Sequence, residues 1–218
     1  MIVKKKKKQS FIVPAIIFLV LFYFTNQLKI YFIVMLFCLL HELSHIIMAI
    51  AMKMKIEKLE IMPLGFSATF SGECINETKL ILKNIAIALA GPLLTLIFII
   101  IFLNINIVFR KEIIYSNILI LILNLLPIYP LDGGRVVNGI IQLRVGKEKA
   151  SVMVDKVTYI TIVLMTIASS IAVYYFKNIA IFLICILLWL IVFRTRKLSC
   201  WNYLKLKEKS INYLLFNK

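Results

Sequence analysis

Apolar residues in this chain run in stretches too long for the core of a small soluble domain, with short charged segments between them. Six stretches stand out, at 11–24, 30–52, 80–103, 113–130 or somewhat beyond, 157–176 and 179–193. A helix needs about 20 apolar residues to cross a bilayer, so four have full spanning length and the first and last are short. Between the second and third, residues 56–71 change period. Ile56, Leu59 and Ile61, then Phe66, Ala68 and Phe70, alternate around a turn at Pro63-Leu64-Gly65. That pattern predicts a short β-hairpin or a re-entrant loop. The fold class expected is an all-α integral membrane protein of six transmembrane helices with that one extended excursion. Residues 1–195 form the membrane domain, with a core at about 30–145, and 196–218 form a basic amphipathic cytosolic tail. A short helix at 136–143 and a polar linker at 146–151 are expected between spans four and five.

Composition supports a membrane protein, at 62% hydrophobic residues, and the net charge of +16 at first suggests a nucleic-acid partner. Placing the charges removes that suggestion. Of 26 Lys and Arg residues, all but Lys29, Arg110, Lys111 and Lys177 fall on one side of the six spans. This is the positive-inside pattern, so both termini are expected in the cytoplasm of a bacterial multi-pass protein. The basic surface then meets anionic lipid, and no nucleic acid is expected. Lys4 to Lys8 ahead of an apolar run resemble the start of a signal peptide, but Thr25-Asn26-Gln27 offers no small-residue cleavage site, so an uncleaved first helix is expected. The four cysteines, Cys38, Cys74, Cys185 and Cys200, form no C-x-x-C pair and no disulfide is expected. The tail, with Trp201, Tyr203 and Tyr213 among lysines, either anchors on lipid or docks a regulator or inhibitor protein.

The chain's two histidines stand four residues apart inside the second apolar run, in Leu40-His41-Glu42-Leu43-Ser44-His45. On a helix the i, i+4 spacing puts both imidazoles on one face, where they can share a metal ion. Glu42 lies about 100° around from His41, near enough to handle a water's proton without being a ligand. Three ionisable groups in an apolar segment are costly to bury and mark a functional site. Zinc needs a third protein ligand. Glu57, Glu60, Glu73 and Glu77 lie in the charged connection outside the membrane, and Cys38 is either a metal contact or a small apolar filler. Asp132 ends another apolar run, in Asn124-Leu125-Leu126-Pro127-Ile128-Tyr129-Pro130-Leu131-Asp132-Gly133-Gly134. Two prolines and two glycines break a helix there, which can carry a carboxylate to a metal or can simply make a turn out of the membrane. With straight helices, His41 and Asp132 would differ in depth by roughly 12 Å. Span four is therefore expected to start late, near Asn117, and to unwind at Pro127 to Pro130.

Together, His41-Glu42-Leu43-Ser44-His45 and the N-x-x-P-x-x-P-L-D-G-G run from Asn124 to Gly134 resemble the site-2 protease family of intramembrane zinc metalloproteases. Pro63-Leu64-Gly65 and Ala90-Gly91-Pro92 agree with it, and the resemblance covers about residues 30–145. Within that family the chain is most similar to the branch of the bacterial stage IV sporulation protein FB. The resemblance implies one Zn2+ per chain held by His41, His45 and Asp132, with Glu42 as the catalytic general base. It implies substrate binding by Asn124, Pro127, Pro130, Pro63, Leu64 and Gly65, the hairpin presenting an edge to an extended substrate. The implied substrate is a membrane-associated protein precursor, namely a sporulation sigma-factor proprotein. Two departures are visible. No nucleotide-binding CBS domain follows, so no nucleotide is expected in cis. Thr95 stands where many relatives have asparagine, which predicts a weakened or lost polar role there. The competing reading, from another class, is an ion- or proton-coupled transporter using His41, Glu42 and Asp132. Spans five and six carry no buried acid or histidine, so packing and gating are the roles expected of them.

Overall fold

The computed structural model describes residues 28–62, 65–71, 76–176, 182, 185–186 and 188–193. The first predicted span, Pro63, Leu64, Cys74, Cys200 and the basic tail lie outside the described residues. Elements follow in the order α1 (Leu28–Ala51), β1 (Lys55–Met62), β2 (Gly65–Ser71), α2 (Glu77–Asn104), α3 (Arg110–Leu125), α4 (Asp132–Val145) and α5 (Lys147–Phe176). They fall into two compact units, Met1–Leu125 and Leu126–Lys218.

In the first unit, α1 and α2 are joined by matching four-residue stripes. Phe37, His41, His45 and Ala49 are the buried residues of α1, and α2 buries Ile87, Gly91, Thr95 and Ile99 at the same interval. Antiparallel packing brings the stripes into register. Phe37 meets Phe98 and Phe102 edge-to-face, at centroid distances of 5.3 and 5.7 Å. At the other end Ala49, Met54 and Ile87 form a core cluster with Met48, Met52 and Leu80. Asn76 caps α2, its Oδ1 accepting from the Thr78 N–H at 3.1 Å. The far end of α2 is capped from outside the helix. The Arg110 guanidinium donates to the carbonyls of Phe102, at 2.9 Å, and Leu103, satisfying last-turn acceptors that no later helical N–H reaches. Lys29, over the Phe109 ring at 5.6 Å, lies at this end, whereas Lys83 donates to Met52 O (2.9 Å) at the opposite one.

Strands β1 and β2 pair antiparallel from Lys55↔Ser71 to Met62↔Gly65, with an irregularity between Ile56 and Lys58. They form a two-stranded sheet where the alternating pattern lies. Helix α3 packs on both α1 and α2. It starts at Arg110, not near Asn117 as the depth argument expects. Phe109, at φ 65°, reverses the chain immediately before it, and Arg110 is held back against α2.

In the second unit, residues 126–131 are unwound, as the two prolines predict, and α4 begins at Asp132. Ile128, Ile162, Leu188 and Val192 make its core, with Leu126, Leu131 and Trp189 around them. The polar linker expected at 146–151 is a single residue, Gly146 (φ 81°), and α5 starts at Lys147. Ala150 and Val154 already belong to a buried stripe continued by Thr158 and Ile162, so packing pulls the polar residues between them into the helix. Of the described helices, α1, α2 and α5 are long and apolar enough to cross a membrane. The fourth predicted span is divided into α3, of 16 residues, and α4.

The end of α1 yields a stability prediction. Lys53 N–H donates to Ile50 O (3.0 Å) and Met54 N–H to Ala49 O (2.9 Å), the paired bonds of a Schellman turn, with Lys53 left-handed at φ 56°. Glycine removes the steric cost of that conformation at a smaller entropic loss. Lys53→Gly is expected to stabilise the protein by about 0.5–1 kcal/mol, read as a raised denaturation midpoint in detergent.

Candidate metal centre

His41 and His45 are almost wholly buried, at 1% and 3% exposure. Each ring is fixed by its Nδ1. Thr95 Oγ1 has one proton, which it donates to Gly91 O at 2.9 Å. The same oxygen lies 2.8 Å from His41 Nδ1, so there it accepts and His41 carries its proton on Nδ1. His45 Nδ1 donates to Ile87 O at 2.7 Å, since a carbonyl can only accept. Both neutral rings are thereby assigned, from their hydrogen-bond partners, to the tautomer with a bare Nε2. The two Nε2 atoms face one another at 3.3 Å, the rings crossing at 81°. Two lone pairs at that distance can be shared by one cation.

The spacing fits zinc. Two nitrogen ligands about 2.0–2.1 Å from a tetrahedral ion lie about 3.3 Å apart. Gly91 keeps the space in front of them open. A Cβ there would stand 2.4 Å from His45 Nε2 and 2.5 Å from His41 Nε2, closer than any real side chain permits. Ser44 Oγ donates to His41 O at 2.6 Å, binding the ligand-bearing turn to itself. Glu42 is half-buried on the neighbouring face of α1. Cys38 is a half-buried, reduced cysteine on the same helix.

Asp132 is the first residue of α4 and is buried, with Arg135 Nη1 at 3.6 Å from its Oδ1. Arg135 thus pairs with this carboxylate. The unwound segment before it is compact. Ile128 N–H donates to Leu126 O (2.7 Å), Leu131 N–H to Ile128 O (2.8 Å), and Tyr129 N–H to Thr158 Oγ1 (3.0 Å). Gly134 lies directly on this backbone, where a Cβ would be 2.4 Å from Ile128 C. Pro127 and Pro130 are half-buried in the segment, Asn124 is half-buried in the last turn of α3, and Gly65 opens β2 opposite Met62.

Three residues beyond the predicted set belong to these environments. Thr95, for which a weakened or lost polar role was expected, is 2% exposed and holds His41. A threonine oxygen accepts from an imidazole N–H as an amide oxygen does. Gly91 was marked in the sequence only through Ala90-Gly91-Pro92, and Thr95 only as a departure from asparagine. Thr158 had no signal beyond being a hydroxyl in an apolar run.

Models of two protein families match the chain. "Peptidase family M50" matches residues 109–168, and "Peptidase M50B-like" matches residues 13–132. No curated protein matches it. Among solved structures, the site-2 protease from Methanocaldococcus jannaschii superposes with a TM-score of 0.63 at 23% identity, covering 83% of this chain and 84% of that one. The fold is therefore that of the site-2 protease. The M50B-like model spans more than half of the chain and includes both histidines, Glu42 and Asp132, and the protein belongs to this peptidase family.

Proposed function

We propose that the protein is an intramembrane zinc endopeptidase in which His41, His45 and Asp132 hold one zinc ion and Glu42 is the general base. The observation that carries this is the pair of Nδ1-tied imidazoles whose bare Nε2 atoms stand 3.3 Å apart before the Cα of Gly91. Supporting the third ligand, Asp132 lies in the run from Asn124 to Gly134 that resembles the family's second motif, and it is buried, as both histidines are. When bound, zinc polarises the scissile carbonyl and lowers the pKa of water toward about 7. The protein's own residues supply the rest. Thr95 and Ile87 O keep both rings in the ligating tautomer. Glu42 accepts a proton from the attacking water and returns it to the nitrogen of the leaving amine. Burial excludes competing solvent, so charge that develops on the substrate is met by fixed groups.

An extended substrate strand is proposed to add to the β1–β2 sheet, which among the described residues has only two strands and so an open edge on each. Pro63, Leu64, Gly65, Asn124, Pro127 and Pro130 are proposed to bind that substrate. The substrate proposed is a membrane-associated precursor, specifically a sporulation sigma-factor proprotein. This rests on the similarity of His41 to His45 and Asn124 to Gly134 to the sporulation branch. The charge distribution supports cytoplasmic termini, where an inhibitor or regulator protein would dock.

Glu42→Gln keeps the shape of the side chain without its basicity. It should retain one zinc per chain while cleavage of a co-expressed precursor falls by about 10²–10⁴-fold; cleavage near the wild-type rate would remove Glu42 from this role. Gly91→Ala places a methyl group at the mouth of the two Nε2 atoms. Its zinc affinity, measured against a competing chelator, should drop about a hundredfold. Protons compete with metal for both imidazoles, so acidification should release zinc, and metal analysis after dialysis at stepped pH would show a monotonic loss toward low pH. An ion-coupled transporter would instead show transport without peptide cleavage, and its function would survive chelation.

A further inference from the structure

Helix α5 bears no acid, base or histidine on its buried stripe, yet it holds the segment that leads into Asp132. Residues 127–131 contain three backbone N–H groups, because Pro127 and Pro130 have none. Ile128 N–H and Leu131 N–H bond within the segment, to Leu126 O and Ile128 O. Tyr129 N–H has no carbonyl within the segment and donates instead to Thr158 Oγ1, at 3.0 Å. At membrane depth an amide with no acceptor costs several kcal/mol, so this one side chain completes the conformation. One turn further along the same stripe, Ile162 packs on Ile128, both at 0% exposure. Two consecutive residues of the unwound segment are thus docked on α5, Ile128 by packing and Tyr129 by its amide. Asp132 follows three residues later.

We propose that Thr158 is a positioning residue for the metal centre: its hydroxyl oxygen fixes the unwound segment through Tyr129 N–H and so sets where α4 begins and where the Asp132 carboxylate is presented. This rests on the assignment of Asp132 as a ligand made above. Thr158 is itself neither a ligand nor a contact of the substrate. Its effect passes through the backbone of Tyr129 and through Gly134, whose bare Cα lets the first turn of α4 lie against Ile128 and Tyr129.

The test uses the full chain in lipid nanodiscs and measures zinc affinity by chelator competition, together with hydrogen exchange at the Tyr129 amide. Thr158→Val keeps the shape and removes the acceptor, whereas Thr158→Ser keeps the acceptor. Thr161→Val is the control, since Thr161 Oγ1 donates only to Val157 O of its own helix, at 2.9 Å. Thr158→Val is expected to lose about tenfold or more in zinc affinity and to exchange faster at Tyr129, while Thr158→Ser and Thr161→Val stay near wild type. Should Thr158→Val fail to fold, Thr158→Cys, a much weaker acceptor, takes its place with the same expectation. Wild-type zinc affinity in the acceptor-deficient variant, or an equal loss in Thr161→Val, would overturn the proposal and leave the metal assignment standing. A wild-type protein that binds no zinc would instead overturn the metal assignment itself, and the proposal with it.

Discussion

A neutral imidazole has one proton to place, and in α1 both placements are already made. Thr95 takes the N–H of His41 and the Ile87 carbonyl takes that of His45, so the opposite nitrogens carry no proton and lie 3.3 Å apart. The rest of the first unit serves that arrangement. The phenylalanine contacts at one end and the Ala49–Met54–Ile87 cluster at the other hold α1 and α2 in the register that brings 41 to 95 and 45 to 87. A register slip by one turn would leave two buried histidines without their acceptors, a loss of about 1–3 kcal/mol each. Metal readiness and helix packing are therefore the same constraint.

The second unit solves a different problem with similar means. An interruption in a membrane-embedded segment frees amides that lipid cannot satisfy. Here the interruption is kept short, two of its amide groups are proline nitrogens that need no acceptor, and the remaining ones are bonded locally or to Thr158. Gly134 lets α4 restart immediately against the break. Asp132 thus emerges at a helix N-terminus, where a negative charge is favoured, with Arg135 beside it.

Where expectation and structure part, the reason lies in contacts between elements. A late start for α3 was inferred from depth along straight helices, but Arg110 is needed against the last carbonyls of α2 and takes the helix start with it. A polar linker at 146–151 was inferred from composition, but Ala150 is fully buried and begins the packed stripe of α5. A weakened or lost polar role was expected of Thr95 because its side chain differs from a common asparagine. What the position needs is an oxygen acceptor, and threonine has one.

By itself, the amino-acid order determined residence in the membrane, the pairing of His41 with His45 on one helix face, and the interruption between Pro127 and Pro130. Each of these follows from periodicity or from the covalent limits of proline, which act along a single segment. Only the tertiary structure decided which imidazole nitrogen is bare, why residue 91 must lack a Cβ, and that Thr95 and Thr158 take part at all. Those outcomes depend on a side chain meeting a group dozens of residues away. The register of one helix against another controls such meetings, and no local pattern encodes it.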